Sequence, residues 1–258
     1  MARIYTLVNQ KGGVGKTTTA INLGAYLAKH NQRVLIVDID PQANATSCLG
    51  IDKHGVEQGS YQALLGGVSP MSLILKNDRL NLSLLPSSQS LAGAEVELVD
   101  EGQRNTRLRS ALNTLQDDFD YILLDCPPSL GLLTINGLMA AQDGVIIPVQ
   151  CEYLALEGLG QLTSTIQKVK AALYPELNVR GVVLTMFDRR TNLANDVVAE
   201  VNRHFPKLVF QSVIPRSIRL AEAPSYGLPI SAYAPDSVGA KAYNALATEI
   251  LAQDKPQG

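Results

Sequence analysis

Gln10-Lys11-Gly12-Gly13-Val14-Gly15-Lys16-Thr17-Thr18 is the stretch on which the reading of this chain turns. It follows the apolar run Ile4–Val8 and leads into Ala20-Ile21-Asn22-Leu23-Gly24-Ala25, so strand, glycine loop and helix stand in the order a phosphate-binding loop requires. Glycines let backbone N–H groups turn inward with no Cβ in the way, and the N-terminus of the following helix adds positive potential. In such loops the lysine at the position of Lys16 reaches the β- and γ-phosphates, and the hydroxyl at Thr17 ligates Mg²⁺. ATP and Mg²⁺ are therefore the expected ligands of Gly12, Gly13, Val14, Gly15, Lys16, Thr17 and Thr18. The loop departs from the common pattern in that Gln10 holds the place of the first glycine and a second lysine, Lys11, enters it.

Outward from the loop, runs rich in Val, Ile and Leu recur at Val34–Val37, Leu80–Leu85, Tyr121–Leu124, Val145–Val149, Val179–Met186 and Val209–Ile214. They lack polar alternation, as strands covered on both faces do. Helical spacing lies between them, at Thr17–Lys29, Thr106–Leu115, Leu156–Tyr174, Leu193–His204 and Val238–Leu251. Alternating strands and helices predict an α/β fold with a mostly parallel sheet, helices on both faces and right-handed crossovers. No linker or repeat divides the chain, so residues 1–258 are expected to form a single P-loop ATPase domain, with a frayed tail over 254–258 and loops with short helices over 51–102.

Acids at the C-terminal ends of such strands point to where ligands bind in parallel sheets. Asp38 and Asp40 follow Val34–Val37. Asp38 is expected to hydrogen-bond magnesium-bound water, and Asp40 to orient or deprotonate the attacking water. Asp125, closing Tyr121-Ile122-Leu123-Leu124, is expected to hold the magnesium hydration shell near Thr17.

Composition sets the outer limits. At 46% hydrophobic and 18% charged residues the chain reads as globular, and no stretch is apolar and long enough to span a membrane. The start runs straight into a strand with no export signal, which makes the cytoplasm the expected address. Cys48, Cys126 and Cys151 form no CxxC pair and read as buried free thiols. A net charge of −2 gives no global sign of nucleic-acid binding, yet residues 160–220 hold nine basic and four acidic residues, which is +5 against −7 for the remainder. Such asymmetry hints at an anionic partner.

Lys11-Gly12-Gly13-Val14-Gly15-Lys16-Thr17 resembles the deviant Walker A motif of the ParA/MinD family of ATPases, relatives of nitrogenase iron protein. The resemblance covers essentially the whole chain. Ala92-Gly93-Ala94-Glu95, Asp125-Cys126-Pro127-Pro128-Ser129-Leu130-Gly131, Pro148-Val149-Gln150-Cys151-Glu152-Tyr153, Arg190-Thr191-Asn192-Leu193 and Ile214-Pro215-Arg216-Ser217 are similar to the chromosomal ParA, or Soj, group. It implies an ATP-dependent homodimer in which Lys11 reaches the partner subunit's phosphates and Asp40, with Lys11 and Lys16, serves hydrolysis. It further implies binding to nonspecific double-stranded DNA at the nucleoid, stimulation by a ParB-type partner, and a role in chromosome or plasmid partition. Pro215 and Ser217 fall where the family contacts adenine through backbone groups, with Ser217 in place of a frequent asparagine. Arg190 and Arg219 correspond to surface arginines implicated in DNA contact, and Arg189 and Arg216 are their neighbours.

Rival readings differ at identifiable places. A MinD-like membrane ATPase would end in a basic amphipathic helix, whereas Lys241–Leu251 carries a single basic residue, so no membrane partner is expected. A metabolic P-loop enzyme that phosphorylates a carboxylate would need a second substrate constellation, and an iron–sulfur carrier would need different surroundings at Cys126 and Cys151.

Overall fold

The structure is a computed structural model that describes residues 1–152 and 155–255. Its strands, β1 (Arg3–Leu7), β2 (Val34–Asp38), β3 (Leu75–Asn77), β4 (Leu82–Leu85), β5 (Tyr121–Asp125), β6 (Gly144–Gln150) and β7 (Val179–Thr185), form one sheet in the order β3-β4-β2-β5-β1-β6-β7. All neighbours are parallel except the edge pair β3 and β4. The helices are α1 (Lys16–Lys29), α2 (Asn44–Cys48), α3 (Ser60–Leu65), α4 (Leu91–Glu97), α5 (Arg107–Asn113) and α6 (Leu132–Ala140), then α7 (Ala155–Ala172), α8 (Asn192–His204), α9 (Ile218–Glu222), α10 (Ile230–Tyr233) and α11 (Val238–Asp254). No helix among the described residues is long and apolar enough to cross a membrane.

The parallel strands send alternate side chains to two covered faces, which is why their runs carry no polar alternation, while the edge strand β3 is largely exposed. Tyr5, Leu7, Ile36 and Leu123 pack with Leu23, Leu27 and the Tyr243 side of α11, while Ile4, Leu35, Val37 and Leu124 pack against Leu64, Leu91, Leu112 and Leu133 on the other face. A further cluster joins Val145, Ile147 and Val182 to Leu162, Ile166, Val197 and Val201. Caps start the later helices where the sequence supplies them. The Thr191 hydroxyl accepts from Ala194 N at the head of α8, and Ser237 Oγ accepts from Ala240 N at the head of α11.

Val209–Ile214, expected as a strand, runs beside β7 with only isolated bridges at Val182–Val209 and Phe187–Pro215. The ladder fails because Gln211 N and Ser212 N donate to the Glu249 carboxylate instead, at 2.8 and 3.0 Å. Asp254, expected in the frayed tail, is fixed: Tyr5 Oη and Tyr121 Oη donate to its carboxylate at 2.8 and 3.0 Å, and Arg180 pairs with it at 2.9 Å. The rest of that expectation, residues 256–258, lies outside the described residues, as does Tyr153.

Candidate nucleotide site

Parallel pairing aligns the C-terminal ends of β1, β2 and β5, so that Leu7, Asp38 and Asp125 reach the same edge of the sheet. The loop from residue 10 to 15 crosses that edge. Gly13 and Gly15 take positive φ of 76° and 91°, a backbone open to glycine at little cost, and α1 starts directly after them. The loop is tied down from two neighbours: Asn9 Nδ2 donates to Pro148 O, and the buried Thr185 hydroxyl at the end of β7 donates to Val14 O at 2.8 Å. Lys16 is 7% exposed, and its ammonium lies 3.4 Å from Lys11 O. Burial lowers its pKa, opposed chiefly by the charge of Asp125.

Thr17 Oγ1 donates to Asp125 Oδ2 at 2.7 Å, which joins the expected metal residues. Asp125 is fully buried, and its Oδ1 has no hydrogen-bond partner among the described residues. Burial raises its pKa well above the carboxylate range, with the charge of Asp38 adding to the shift. A buried carboxylate oxygen without a donor costs free energy unless a cation or its water meets it, so the pair fits a hard divalent ion. Asp38 is different. Its Oδ1 accepts from Asp40 N and its Oδ2 from Thr46 N and Thr46 Oγ1, at 3.1, 2.8 and 2.8 Å. Burial still lifts its pKa to about 6. Through these bonds Asp38 also fixes the backbone that carries Asp40, a role the sequence did not suggest.

Asp40 lines a cleft of about 360 Å³ together with Gly12, Gly13, Gly15, Lys16, Thr17, Thr18, Gln42, Asn44, Cys48, Pro128 and Met186. A second, more apolar cleft of about 370 Å³ shares Gly15, Thr18 and Met186 with the first and is lined by Pro215, Arg216, Ser217, Leu220, Pro224 and Tyr243. The expected adenine residues Pro215 and Ser217 thus flank a pocket that opens onto the phosphate loop. Sequence reasoning missed Thr185, Met186 and Tyr243. For Thr185 the available signal was a hydroxyl ending an apolar strand; Tyr243 gave none, since its partner Thr19 Oγ1, 3.1 Å away, lies 224 positions off in sequence.

Lys11 is near Glu152, Nζ to Oε2 at 3.9 Å. The arginines of the expected DNA face are all exposed, but several are held by carboxylates: Arg190 by Asp188 at 2.6 Å, Arg216 by Glu152 at 3.0 Å and Arg219 by Glu222 at 3.0 Å. Arg180 and Arg203 also have acidic partners, Asp254 and Glu200.

The two clefts meet at Gly15, Thr18 and Met186, one lined by the glycine loop and the other more apolar, which defines the class: a P-loop nucleotide-binding protein of doubly wound α/β architecture. Comparison with known proteins narrows it. The AAA domain family profile matches residues 2–179. Sporulation initiation inhibitor protein Soj of Bacillus subtilis (strain 168) is 53% identical over 98% of this chain and 99% of its own. Chromosome-partitioning ATPase Soj of Thermus thermophilus is 51% identical over 97% of this chain and 96% of its own. Among solved structures, cobyrinic acid a,c-diamide synthase from Mycobacterium smegmatis with bound ATP analogue and magnesium superposes with a TM-score of 0.86 at 39% identity, covering 97% of this chain and 95% of that one. The chain belongs to the ParA/Soj family of chromosome-partitioning ATPases.

Proposed function

We propose that the chain binds ATP with Mg²⁺, dimerises on ATP, holds double-stranded DNA irrespective of sequence, and hydrolyses ATP under stimulation by a ParB-type partner in chromosome or plasmid segregation. The observation that carries this reading is the continuity of the phosphate cleft with the apolar pocket at Pro215 and Ser217, together with a buried Asp125 Oδ1 that has no partner among the described residues. Gly12, Gly13, Val14, Gly15, Lys16, Thr17 and Thr18 cradle the phosphates. Thr17 and Asp125 would hold Mg²⁺ with Asp38 meeting its bound water, and the ion when bound neutralises charge building on the phosphates. Asp40, its Oδ1 fixed by Gln42 N at 2.9 Å, faces the cleft beside Lys16 and orients or deprotonates the attacking water. Lys11 serves in trans across the dimer, and Arg189, Arg190, Arg216 and Arg219 meet DNA phosphates. The place of action is the cytoplasm, on the nucleoid.

The amide-synthase reading has one observation in its favour, the Mycobacterium smegmatis likeness, but at 39% identity it stands behind the 53% match to Soj over nearly the whole chain. DNA binding measured with ATP, with ADP and without nucleotide tests the proposal. Retention that requires ATP is expected. Equal retention in every state, or none in any, overturns it.

A further inference from the structure

Glu152 lies just beyond β6, where one carboxylate meets groups from both ends of the nucleotide cleft. Its Oε2 is 3.9 Å from Lys11 Nζ, and its Oε1 accepts from Arg216 at 3.0 Å and from Gln150 Nε2 at 2.6 Å. Both flanking backbones are anchored to β7 or its continuation, Cys151 N donating to Thr185 O and Arg216 N to Phe187 O, each at 3.0 Å. Lys11 belongs to the phosphate loop and Arg216 lines the apolar pocket, so the pairs join segments far apart in sequence.

We propose that Glu152 is a positioning residue that restrains Lys11 within its own subunit and so opposes ATP-driven dimerisation. The inference rests on the reading that Lys11 acts on the partner's nucleotide. A lysine that must cross to another subunit gives up its place beside Glu152, and an interaction made only in the monomer shifts the balance toward the monomer. Arg216 tempers the restraint by sharing the same carboxylate. Both Lys11 and Glu152 are partly solvated, with side chains 32% and 44% exposed, so the restraint is modest and reversible, as a switch requires.

The test is the mass of the protein by light scattering as protein concentration is varied at saturating ATP, for wild type, Glu152→Gln and Arg216→Gln. Glu152→Gln keeps shape and loses charge, and its dimer is expected to be tighter by about two- to fivefold, the range of an exposed ion pair. Arg216→Gln leaves the Glu152 charge to Lys11 alone, and its dimer is expected to be weaker. Opposite signs are a result that general damage to the fold does not produce, and matching thermal unfolding curves check that the variants are intact. A Glu152→Gln dimer equal to or weaker than wild type overturns the proposal whatever Arg216→Gln does. Wild type that stays monomeric with ATP overturns this proposal and the dimer reading together, whereas wild type that dimerises with no gain in Glu152→Gln overturns this one alone.

Discussion

Lys16 sits where an ammonium is costly, buried beneath its own loop with a carbonyl 3.4 Å away and the charges of Asp125 and Asp40 for compensation. A ligand that brings phosphates to it replaces the water removed on folding, so Lys16→Ala is expected to weaken nucleotide binding itself. Asp40 lines the same cleft but is no part of the phosphate loop. Asp40→Ala is expected to keep ATP binding and lose about 10²- to 10⁴-fold in the hydrolysis step, the usual contribution of a positioned base. Single-turnover hydrolysis at the wild-type rate would contradict that assignment. Cys48, expected to be buried like Cys126 and Cys151, is instead half-buried because it lines this cleft. Burial, with Asp125 and Asp38 adding, pushes its thiol up to about 11, so at pH 8 only about one molecule in a thousand is thiolate. The sign is that of an acid whose charged form is disfavoured: alkylation by iodoacetamide is expected to be slow at pH 7.5 and to rise about tenfold per pH unit through 9.5. Occupation of the cleft by an ATP analogue is expected to block it. Peptide mapping separates Cys48 from Cys126 and Cys151; labelling that is fast and flat with pH would refute the raised pKa.

At the scale of the element, the last helix is the informative one. α11 packs along α1 through Tyr243 and ends at Asp254, whose carboxylate takes hydroxyls from β1 and β5 and the guanidinium of Arg180 from β7. Removing that carboxylate strands a largely buried cation, so Asp254→Ala is expected to destabilise the fold by about 2–4 kcal/mol, measured by chemical denaturation. A change below about 0.5 kcal/mol, the level of a plain surface site, would contradict the clasp. Asp254 also shows where sequence reading stops. A polar tail of Asp, Lys, Pro, Gln and Gly looks frayed by composition, and nothing local says that Tyr5, Tyr121 and Arg180 converge on its first residue. Elements carried by local pattern, such as β1, β2, β5, α1 and α8, were legible to within a residue or two, because apolar runs, glycines and caps act over short range. Val209–Ile214 misled because its apolar composition is that of a strand, while its amides are claimed by Glu249 from another element. The same division runs through the site. The phosphate loop and Asp125 were legible from motif, whereas the commitment of Asp38 to Thr46 depended on a helix with no periodic signal.

Across the whole molecule the question is how a chain of net charge −2 could hold a polyanion. Part of its +5 segment is compensated locally: Arg180 is turned inward to Asp254, and Arg190, Arg216 and Arg219 each carry a carboxylate. The Arg190–Asp188 pair is bidentate. Asp188 accepts from both Nε and NH2 of Arg190, and the hydrogen bonds and charge of that arginine hold its carboxyl down to about 2. The depressed value means that Asp188 stays ionised through the working range and that mild acid does not unmask Arg190. DNA phosphates must compete with these partners, which favours binding only where many phosphates are met at once, as two subunits side by side would provide. The charge reversals Arg190→Glu and Arg219→Glu together are therefore expected to abolish DNA retention while ATP-dependent dimerisation survives. For every phosphate that a variant no longer neutralises, the slope of log K against log salt is expected to fall by about 0.9. Removing the competitors acts the other way. Asp188→Asn and Glu222→Gln are each expected to raise DNA affinity by about two- to fivefold at low salt, the range for releasing an exposed pair, with the gain fading as salt screens the phosphates. Surface-binding measurements across a salt series check both. Undiminished affinity in the double reversal, together with no gain in the unmasked variants, would make the basic segment an ordinary solvated face and would move the search for the DNA surface to another part of the molecule.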